Sequence, residues 1–80
     1  MTTFEQVRDL IVKVKRGRLK PEAVTPAARL REDLQLDSLA QSELLVLTEE
    51  KFAISVSPED AQHAQTVAQM VATIDAKRAA

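Results

Sequence analysis

Residues 36–52 read LDSLAQSELLVLTEEKF, a stretch that combines the start signals of an α-helix with a series of large apolar side chains. Two start signals overlap, because Asp37 can cap the first turn directly while Ser38 and Gln41 have the spacing of a capping box. The side chains expected to face the core are the large apolar ones: Leu39 at the beginning, then Leu44, Leu47 and Phe52. We therefore predict a helix over residues 38–51.

The segment at the N-terminus predicts another helix, over residues 3–16. Its apolar side chains recur at i, i+3, i+4 and i+7, which places them on one face of a helix. They are Val7, Leu10, Ile11 and Val14, and Phe4 extends the stripe by one turn. Thr3 and Gln6 have the spacing of a capping box, and Gly17 stands where a helix would stop.

Residues 17–36 form a long connection between these two helices. Thr25 followed by Pro26 is typical of a cap with a proline in the first turn, so we predict a short helical turn there. A connection of this length in a small domain is held down by its own apolar residues or serves the function. The expected anchors to the core are Val24, Leu30, Leu34 and Leu36.

The last third of the chain predicts a short third helix and a longer fourth one. Ser57, followed by a proline and two acids, is a strong start for the short helix. Thr66 and Gln69 repeat the capping-box spacing, and the fourth helix runs to about residue 77. Its apolar stripe consists of Val67, Met70, Val71 and Ile74.

The predicted fold class is all-α, with three longer helices, one short helix and a long first loop. No segment alternates between apolar and polar residues over more than the four residues 53–56, so no strand is expected. A chain of 80 residues holds one small core, and we predict a single domain over residues 1–80.

Composition excludes several classes of function. The chain has no cysteine and a single histidine, His63, which argues against disulfides, metal sites and a catalytic triad. Its two phenylalanines are the only aromatic residues, too few for stacking nucleic-acid bases. The longest apolar run, residues 44–47, is far shorter than a membrane span. Residues 1–5 do not begin a signal peptide, so we expect a cytoplasmic protein.

Charge is divided unevenly, although the formal net charge is only −1. Residues 1–31 carry a balance of +5, and residues 32–80 a balance of −6. Within the second part, residues 32–50 hold six acids and no base, which can steer a basic partner toward this segment. The cations cluster at the end of the first helix, where they suit the helix dipole, and nucleic-acid binding is not expected. They are Lys13, Lys15, Arg16, Arg18 and Lys20.

Ser38 is the candidate functional residue, because a serine at a helix N-terminus lies where free N–H groups and the helix dipole stabilise an anion. A phosphodiester on its hydroxyl would be favoured there. On the tripeptide Asp37-Ser38-Leu39 alone, a purely capping role is the simpler interpretation.

The sequence around this tripeptide resembles the acyl carrier proteins over about residues 4–76. The shared motifs stand in the same order along the chain, in the first loop, around the serine and in the later helices. They are Val24-Thr25-Pro26, Leu30, Glu32-Asp33-Leu34, Asp37-Ser38-Leu39, Glu43-Leu44, Glu49-Glu50, Phe52, Pro58, Glu59-Asp60-Ala61 and Thr66-Val67. The resemblance implies a four-helix bundle whose serine, here Ser38, carries a 4′-phosphopantetheine arm that holds acyl groups as thioesters.

The resemblance also implies the partners and a role for the surface of the second helix. The chain would be a carrier rather than an enzyme, modified by a phosphopantetheinyl transferase and visited by ketosynthase, acyltransferase or ligase enzymes. It would act as a monomer, with neither nucleic acid nor membrane as a partner. Asp37 would contact the transferase, Leu39 would lie against the partner beside the arm, and the recognition face would comprise Glu43, Val46 and Glu49.

An acyl pocket in the bundle core is the last implication of the resemblance. Its expected lining is Leu44, Thr48, Ala64, Val67 and Ile74. Thr48 and Ala64 stand where the family usually has large apolar residues, which favours a cavity that accepts a polar or bulky acyl group. Alternatively, Thr48 bonds back to the carbonyl of Leu44 and its neighbours close the gap.

Three departures from the family favour a dedicated carrier of a specialised pathway over one of general fatty acid synthesis. Gln35 and Leu36 fill the stretch where the family usually has a glycine before the motif, Ala40 replaces a common acid, and Lys51 interrupts a run of acids. Two other functions stay open: an aminoacyl or peptidyl carrier, and a small helical interaction domain without modification. Asp37 favours the acyl carrier over the peptidyl carrier, because peptidyl carriers usually have a histidine there.

Overall fold

The computed structural model describes residues 1–79, which form four α-helices joined by a long first connection and two short ones. The helices are α1 (Thr3–Val14), α2 (Ser38–Phe52), α3 (Pro58–His63) and α4 (Val67–Ala79). No strand occurs in this range, where Arg29 and Thr66 form an isolated bridge. The predicted all-α class, with three longer helices and a short third one, is confirmed.

Helix α1 buries its predicted apolar stripe and begins at the predicted residue, but its cap lies one residue earlier and it ends earlier than predicted. The stripe of Val7, Leu10, Ile11 and Val14 is buried and packs against α2 and α4. The capping box is formed by Thr2 and Glu5, not by Thr3 and Gln6, because Thr2 has the extended backbone of a cap and its hydroxyl accepts from the Glu5 N–H at 3.1 Å. The prediction that α1 reaches residue 16 is wrong, because Arg16 already has a left-handed backbone, with φ of 55°.

The long connection contains one turn of 3₁₀ helix, at Pro21–Ala23, rather than the helical turn predicted at Thr25 and Pro26. A single hydrogen-bonded turn occurs at the predicted place, with the Ala28 N–H donating to the Thr25 carbonyl. The turn does not continue into a helix because nearby carbonyls are bonded to the start of α4. The carbonyl of Ala28 accepts from the Val67 N–H at 3.0 Å, and that of Pro26 accepts from the Ala68 N–H at 2.9 Å.

Apolar residues of the connection close the core over the helices. The four predicted anchors are all buried: Val24, Leu30, Leu34 and Leu36. They pack with the stripe of α1 and with Leu44, Met70 and Ile74. The connection is therefore part of the core, and its last anchor fixes where α2 begins.

Capping boxes start α3 and α4; the sequence predicts the box of α4 and, for α3, a cap at Ser57. Ser57 and Asp60 exchange hydrogen bonds at the start of α3, and Thr66 and Gln69 do so at the start of α4. The carboxylate of Asp60 also lies 2.8 Å from the ammonium of Lys77, which joins α3 to α4. This ion pair holds the short helix against the longer one.

Asp60 gives this contact a pH dependence. The Lys77 ammonium, followed by the N–H and hydroxyl of Ser57, lowers the pKa of Asp60 from 3.8 to about 2. A carboxyl with a lowered pKa in the folded state stabilises the protein above its unfolded pKa, and this contribution disappears as the pH falls through the folded value. We therefore expect the melting temperature of Asp60→Asn to fall less than that of the unmodified protein between pH 4 and pH 2.

Thermal melts of the two proteins across this range measure the difference. Thr2 and Arg29 lower the pKa values of Glu5 and Asp33, so those carboxyls contribute equally to both curves and cancel in the comparison. Parallel curves would show that the ion pair with Lys77 does not stabilise the fold.

Candidate functional site

Ser38 is held at the surface by a buried residue before it and a capping residue beside it. Leu36 is fully buried, and its N–H donates to the carbonyl of Leu30 at 3.0 Å. Asp37 is the cap of α2, with its carboxylate accepting from the Ala40 N–H at 2.8 Å. Ser38 is therefore the first residue of the helix, and its side chain is exposed.

The predicted capping box of Ser38 and Gln41 does not form. The amide nitrogen of Gln41 donates to the carbonyl of Leu36 at 2.9 Å, and the carboxylate of Asp37 takes the capping role. Within residues 1–79, the hydroxyl of Ser38 makes no hydrogen bond. Capping by Asp37 alone leaves this hydroxyl available for chemistry.

The N-terminus of α2 has room for an anion. The backbone N–H groups of Ser38 and Leu39 donate to no acceptor in the described part of the chain. Such N–H groups, together with the positive end of the helix dipole, stabilise a phosphate. The site thus fits a phosphodiester carried on the Ser38 hydroxyl.

Gln35 has a backbone conformation that glycine adopts without strain. Its φ is 55°, in the left-handed region. Residues other than glycine and asparagine rarely adopt this conformation. Its carbonyl accepts from the ammonium of Lys15 at 3.2 Å, which ties the turn to the end of α1. The turn that presents Ser38 is therefore strained at one residue.

We expect Gln35→Gly to raise the free energy of unfolding by about 0.5–1 kcal/mol, because removing the side chain relieves a strain that exceeds the greater backbone entropy of glycine. Urea unfolding monitored by circular dichroism measures the change. The matched control is Gln62→Gly within α3, where the backbone is helical and glycine is destabilising. Destabilisation of similar size in both variants would contradict this account of Gln35.

A cavity of about 250 Å³ opens beside Ser38 and extends among α2, α3 and α4. Ser38 itself lies on its wall, so a group attached to the hydroxyl has direct access to the interior. Four of the five residues predicted for an acyl pocket line this cavity: Leu44, Thr48, Ala64 and Ile74. The fifth, Val67, is fully buried in the core and is not part of the lining.

Thr48 bonds back along the helix and also lines the open cavity, so each of its two interpretations holds in part. Its hydroxyl donates to the carbonyl of Leu44 at 2.7 Å, as expected of a threonine that bonds back along a helix. The neighbouring side chains nevertheless leave the cavity open. Thr48 is 1% exposed and is the buried polar residue of the described core.

The residues predicted for partner recognition lie on the exposed side of α2. Leu39 is 78% exposed and Val46 is 52% exposed, and both are apolar side chains of the kind that partners cover. Asp37 and Glu43 are also exposed. Leu39 does not face the core, because it stands five residues before the buried Leu44, on a different side of the helix.

Glu49 differs from the other recognition residues because it has a structural contact. Its carboxylate accepts a hydrogen bond from the Val56 N–H at 3.0 Å and is partly buried. This bond ties the loop before α3 to α2. Sequence reasoning missed it, since nothing in the spacing of Glu49 and Val56 indicates a hydrogen bond across seven positions.

No group of three or more His, Cys, Asp or Glu side chains among residues 1–79 is arranged to hold a metal ion. His63 is exposed at the end of α3. No helix in that range is long and apolar enough to cross a membrane.

Comparisons with known proteins agree with the site. Residues 5–74 match the family model described as the phosphopantetheine attachment site. The acyl carrier protein of Helicobacter hepaticus is 40% identical over 80 residues, which cover 98% of this chain and 100% of the relative. That of Solidesulfovibrio magneticus is 36% identical over 80 residues, 98% of this chain and 97% of the relative. The solved acyl carrier protein of Enterococcus faecalis superposes with a TM-score of 0.74 at 26% identity, covering 96% and 99% of the two chains.

A helical fold that presents a serine at a helix N-terminus, together with the matched attachment-site family, defines a phosphopantetheine-dependent carrier. Full-length relatives of this identity specify the kind of carrier, and the chain belongs to the acyl carrier protein family. Proteins of this family are carriers rather than enzymes, and they work with the enzymes of a biosynthetic pathway.

Proposed function

We propose that Ser38 is the attachment residue, and that the chain is a single carrier domain that delivers acyl intermediates of fatty acid, polyketide or another specialised biosynthesis. One observation carries the proposal: the unbonded hydroxyl of Ser38 stands at the free N-terminus of α2 and on the wall of an open cavity. When bound, the arm supplies a thiol that holds acyl groups as thioesters.

The transferase, rather than this chain, would remove the proton from Ser38. The single imidazole of the sequence, His63, lies exposed at the end of α3, and no side chain accepts a hydrogen bond from the Ser38 hydroxyl within the described residues. Ser38 is thus a substrate of a phosphopantetheinyl transferase that brings coenzyme A. After modification, the tether raises the effective concentration of the acyl group at each partner enzyme.

Measuring the intact mass distinguishes the proposed carrier from the alternative, a small helical interaction domain without modification. The protein is incubated with coenzyme A and a broad-specificity phosphopantetheinyl transferase and then weighed. We expect a gain of one phosphopantetheine. The proposal is contradicted if the mass of this protein does not increase under conditions that fully modify another acyl carrier protein.

The partner surface proposed for α2 comprises Asp37, Leu39, Glu43 and Val46, with Glu49 at its edge. Its support is the exposure of two apolar side chains between carboxylates, which fits a partner with an apolar patch between cations. Monomeric state, cytoplasmic location and partners of the ketosynthase, acyltransferase or ligase type stay predictions from the sequence.

We expect Glu43→Lys to slow modification by the transferase roughly threefold or more at low salt, because carboxylates beside Ser38 steer a basic enzyme. The loss should shrink as salt is raised, since exposed charges are screened. The melting temperature should not change, because Glu43 is exposed and makes no ion pair within residues 1–79.

The matched control for this prediction is Glu22→Lys, which makes the same charge change on the exposed 3₁₀ turn. Equal slowing in both variants would show that net charge, not this surface, governs the encounter. Glu49 is unsuitable as the test residue, because reversing its charge also removes the bond to Val56.

A further inference from the structure

The cavity beside Ser38 has a mainly apolar wall that also contains several polar side chains. Besides Ser38, five polar side chains contribute to the wall: Gln41, Ser42, Thr48, Asp60 and Thr73. A polar atom of the wall that faces an apolar chain makes no hydrogen bond to it, whereas a polar group on the chain can bond to it. The hydrogen bonds that these side chains already make therefore indicate which cargo suits the cavity.

The two threonines have used their donors within their own helices. The Thr48 hydroxyl donates to the Leu44 carbonyl at 2.7 Å, and the Thr73 hydroxyl donates to the Gln69 carbonyl at 3.0 Å. A hydroxyl has one hydrogen to donate and two lone pairs that accept. Both oxygens are therefore left as acceptors.

The other polar groups of the inner wall have the same bias. The Gln41 amide nitrogen donates to the Leu36 carbonyl at 2.9 Å, which leaves its oxygen and its second amide hydrogen without a hydrogen-bond partner within residues 1–79. Asp60, whose lowered pKa keeps it ionised, is an acceptor only. Ser42 is exposed at the rim. The wall thus offers more hydrogen-bond acceptors than donors, and its unused donors are on Gln41 and Ser42.

Thr48 is the most deeply placed of these acceptors. It is 1% exposed and follows Ser38 by ten residues, which corresponds to about 15 Å along the axis of α2. A polar group that meets Thr48 must therefore be carried into the cavity by the attached chain. At this exposure a chain reaches the Thr48 oxygen only by displacing neighbouring side chains, and a cargo that donates to the oxygen then gains a bond that water does not supply.

We propose that the cavity is selective for hydroxyacyl chains over oxoacyl chains with the polar group at the same carbon. This rests on the proposed function, in which Ser38 carries the acyl group. A hydroxyl on the chain donates to the Thr48 oxygen, whereas an oxo group at the same depth brings a further acceptor and cannot bond to that oxygen. Val56, Met70 and Ile74 line the same cavity and pack against the hydrocarbon part of the chain.

The experiment compares cargoes on the complete protein. Ser38 is loaded with amide-linked pantetheine analogues carrying octanoyl, hydroxyoctanoyl or oxooctanoyl chains, the last two with the oxygen at each carbon in turn. NMR signals of the Met70 and Ile74 methyl groups report the ratio of inserted to free chain. For at least one carbon, we expect the hydroxy chain to have about a fivefold higher ratio than the oxo chain, the factor for one net hydrogen bond.

Variants of Thr48 assign the selectivity to its oxygen. Thr48→Val keeps the shape of the side chain and should insert octanoyl while losing the preference for the hydroxyl. Thr48→Ser should keep the preference, and so should the control Thr25→Val, at an exposed position of the first connection.

The possible failures are distinct. Equal insertion of hydroxy and oxo chains at every carbon, or a preference that survives in Thr48→Val, would overturn the selectivity. If chains are attached to Ser38 and none of them enters, the selectivity also fails while the carrier function stands. If the arm cannot be attached to Ser38, the proposed function itself is wrong.

Discussion

Ser38→Ala is expected to abolish modification completely, so that incubation with coenzyme A and a transferase leaves the mass of the protein unchanged. The alanine lacks the oxygen that forms the phosphodiester, while the cap of α2 belongs to Asp37 and is not disturbed. The variant should therefore fold like the wild-type protein. Intact mass spectrometry and circular dichroism together measure both results.

Ser42→Ala is the matched control for this variant. Ser42 lies one turn further along α2 and lines the same cavity, but it is not at the helix N-terminus. We expect this variant to receive the phosphopantetheine arm as completely as the wild-type protein does. Residual modification of Ser38→Ala that disappears only when Ser42 is also replaced would show that the site has been placed one turn too early.

Leu36→Ala is expected to have the largest effect on stability among the residues around the site. Leu36 is fully buried beneath the turn that presents Ser38, so truncation leaves a cavity in the core. Replacing such a leucine lowers the free energy of unfolding by about 2–5 kcal/mol. Urea unfolding monitored by circular dichroism measures this loss.

Leu39→Ala removes the same atoms on the other side of Ser38, where the side chain is 78% exposed. Its free energy of unfolding should stay within about 0.5 kcal/mol of the unmodified protein, as for other exposed positions. Its modification by the transferase should be slower, because an apolar contact with the partner is lost. If both leucines destabilise the protein equally, Leu39 belongs to the core and its place in the partner surface is wrong.

The helices could be predicted from sequence because their signals are local. The stripe of α1 from Val7 to Val14 and the caps at Ser57 and Thr66 depend on spacings of three or four residues, which directly express helix geometry. The start of α2 at Ser38 was also correct. Ambiguity arose where two local signals overlap: Asp37 and Ser38 both qualify as caps, and only the structure assigns the role to Asp37.

The connection and the surface of α2 were predicted less well because distant contacts determine them. The helical turn expected at Thr25 is lost to backbone hydrogen bonds with the start of α4, some forty positions later in the sequence. The bond between Glu49 and Val56 depends on the path of a loop. A period of 3.6 residues does place Leu39 away from Leu44, so its exposure could have been derived from the sequence.

The lining of the cavity was predicted in part from the sequence. Leu44, Thr48, Ala64 and Ile74 were expected from the resemblance and line the cavity, whereas Val67 was expected and does not. The polar contributions of Asp60 and Thr73 were not expected, because they come from separate helices brought together by packing. The hydrogen-bond bias of the interior is therefore a property of the tertiary structure.

The position of the arm on the modified protein tests most directly whether Ser38 is the attachment residue. After loading with coenzyme A and a transferase, the protein is digested and its peptides are sequenced by tandem mass spectrometry. We expect one phosphopantetheine, on Ser38, with Ser42, Ser55 and Ser57 unmodified. An arm on any of those three serines, or an arm on none, would contradict it.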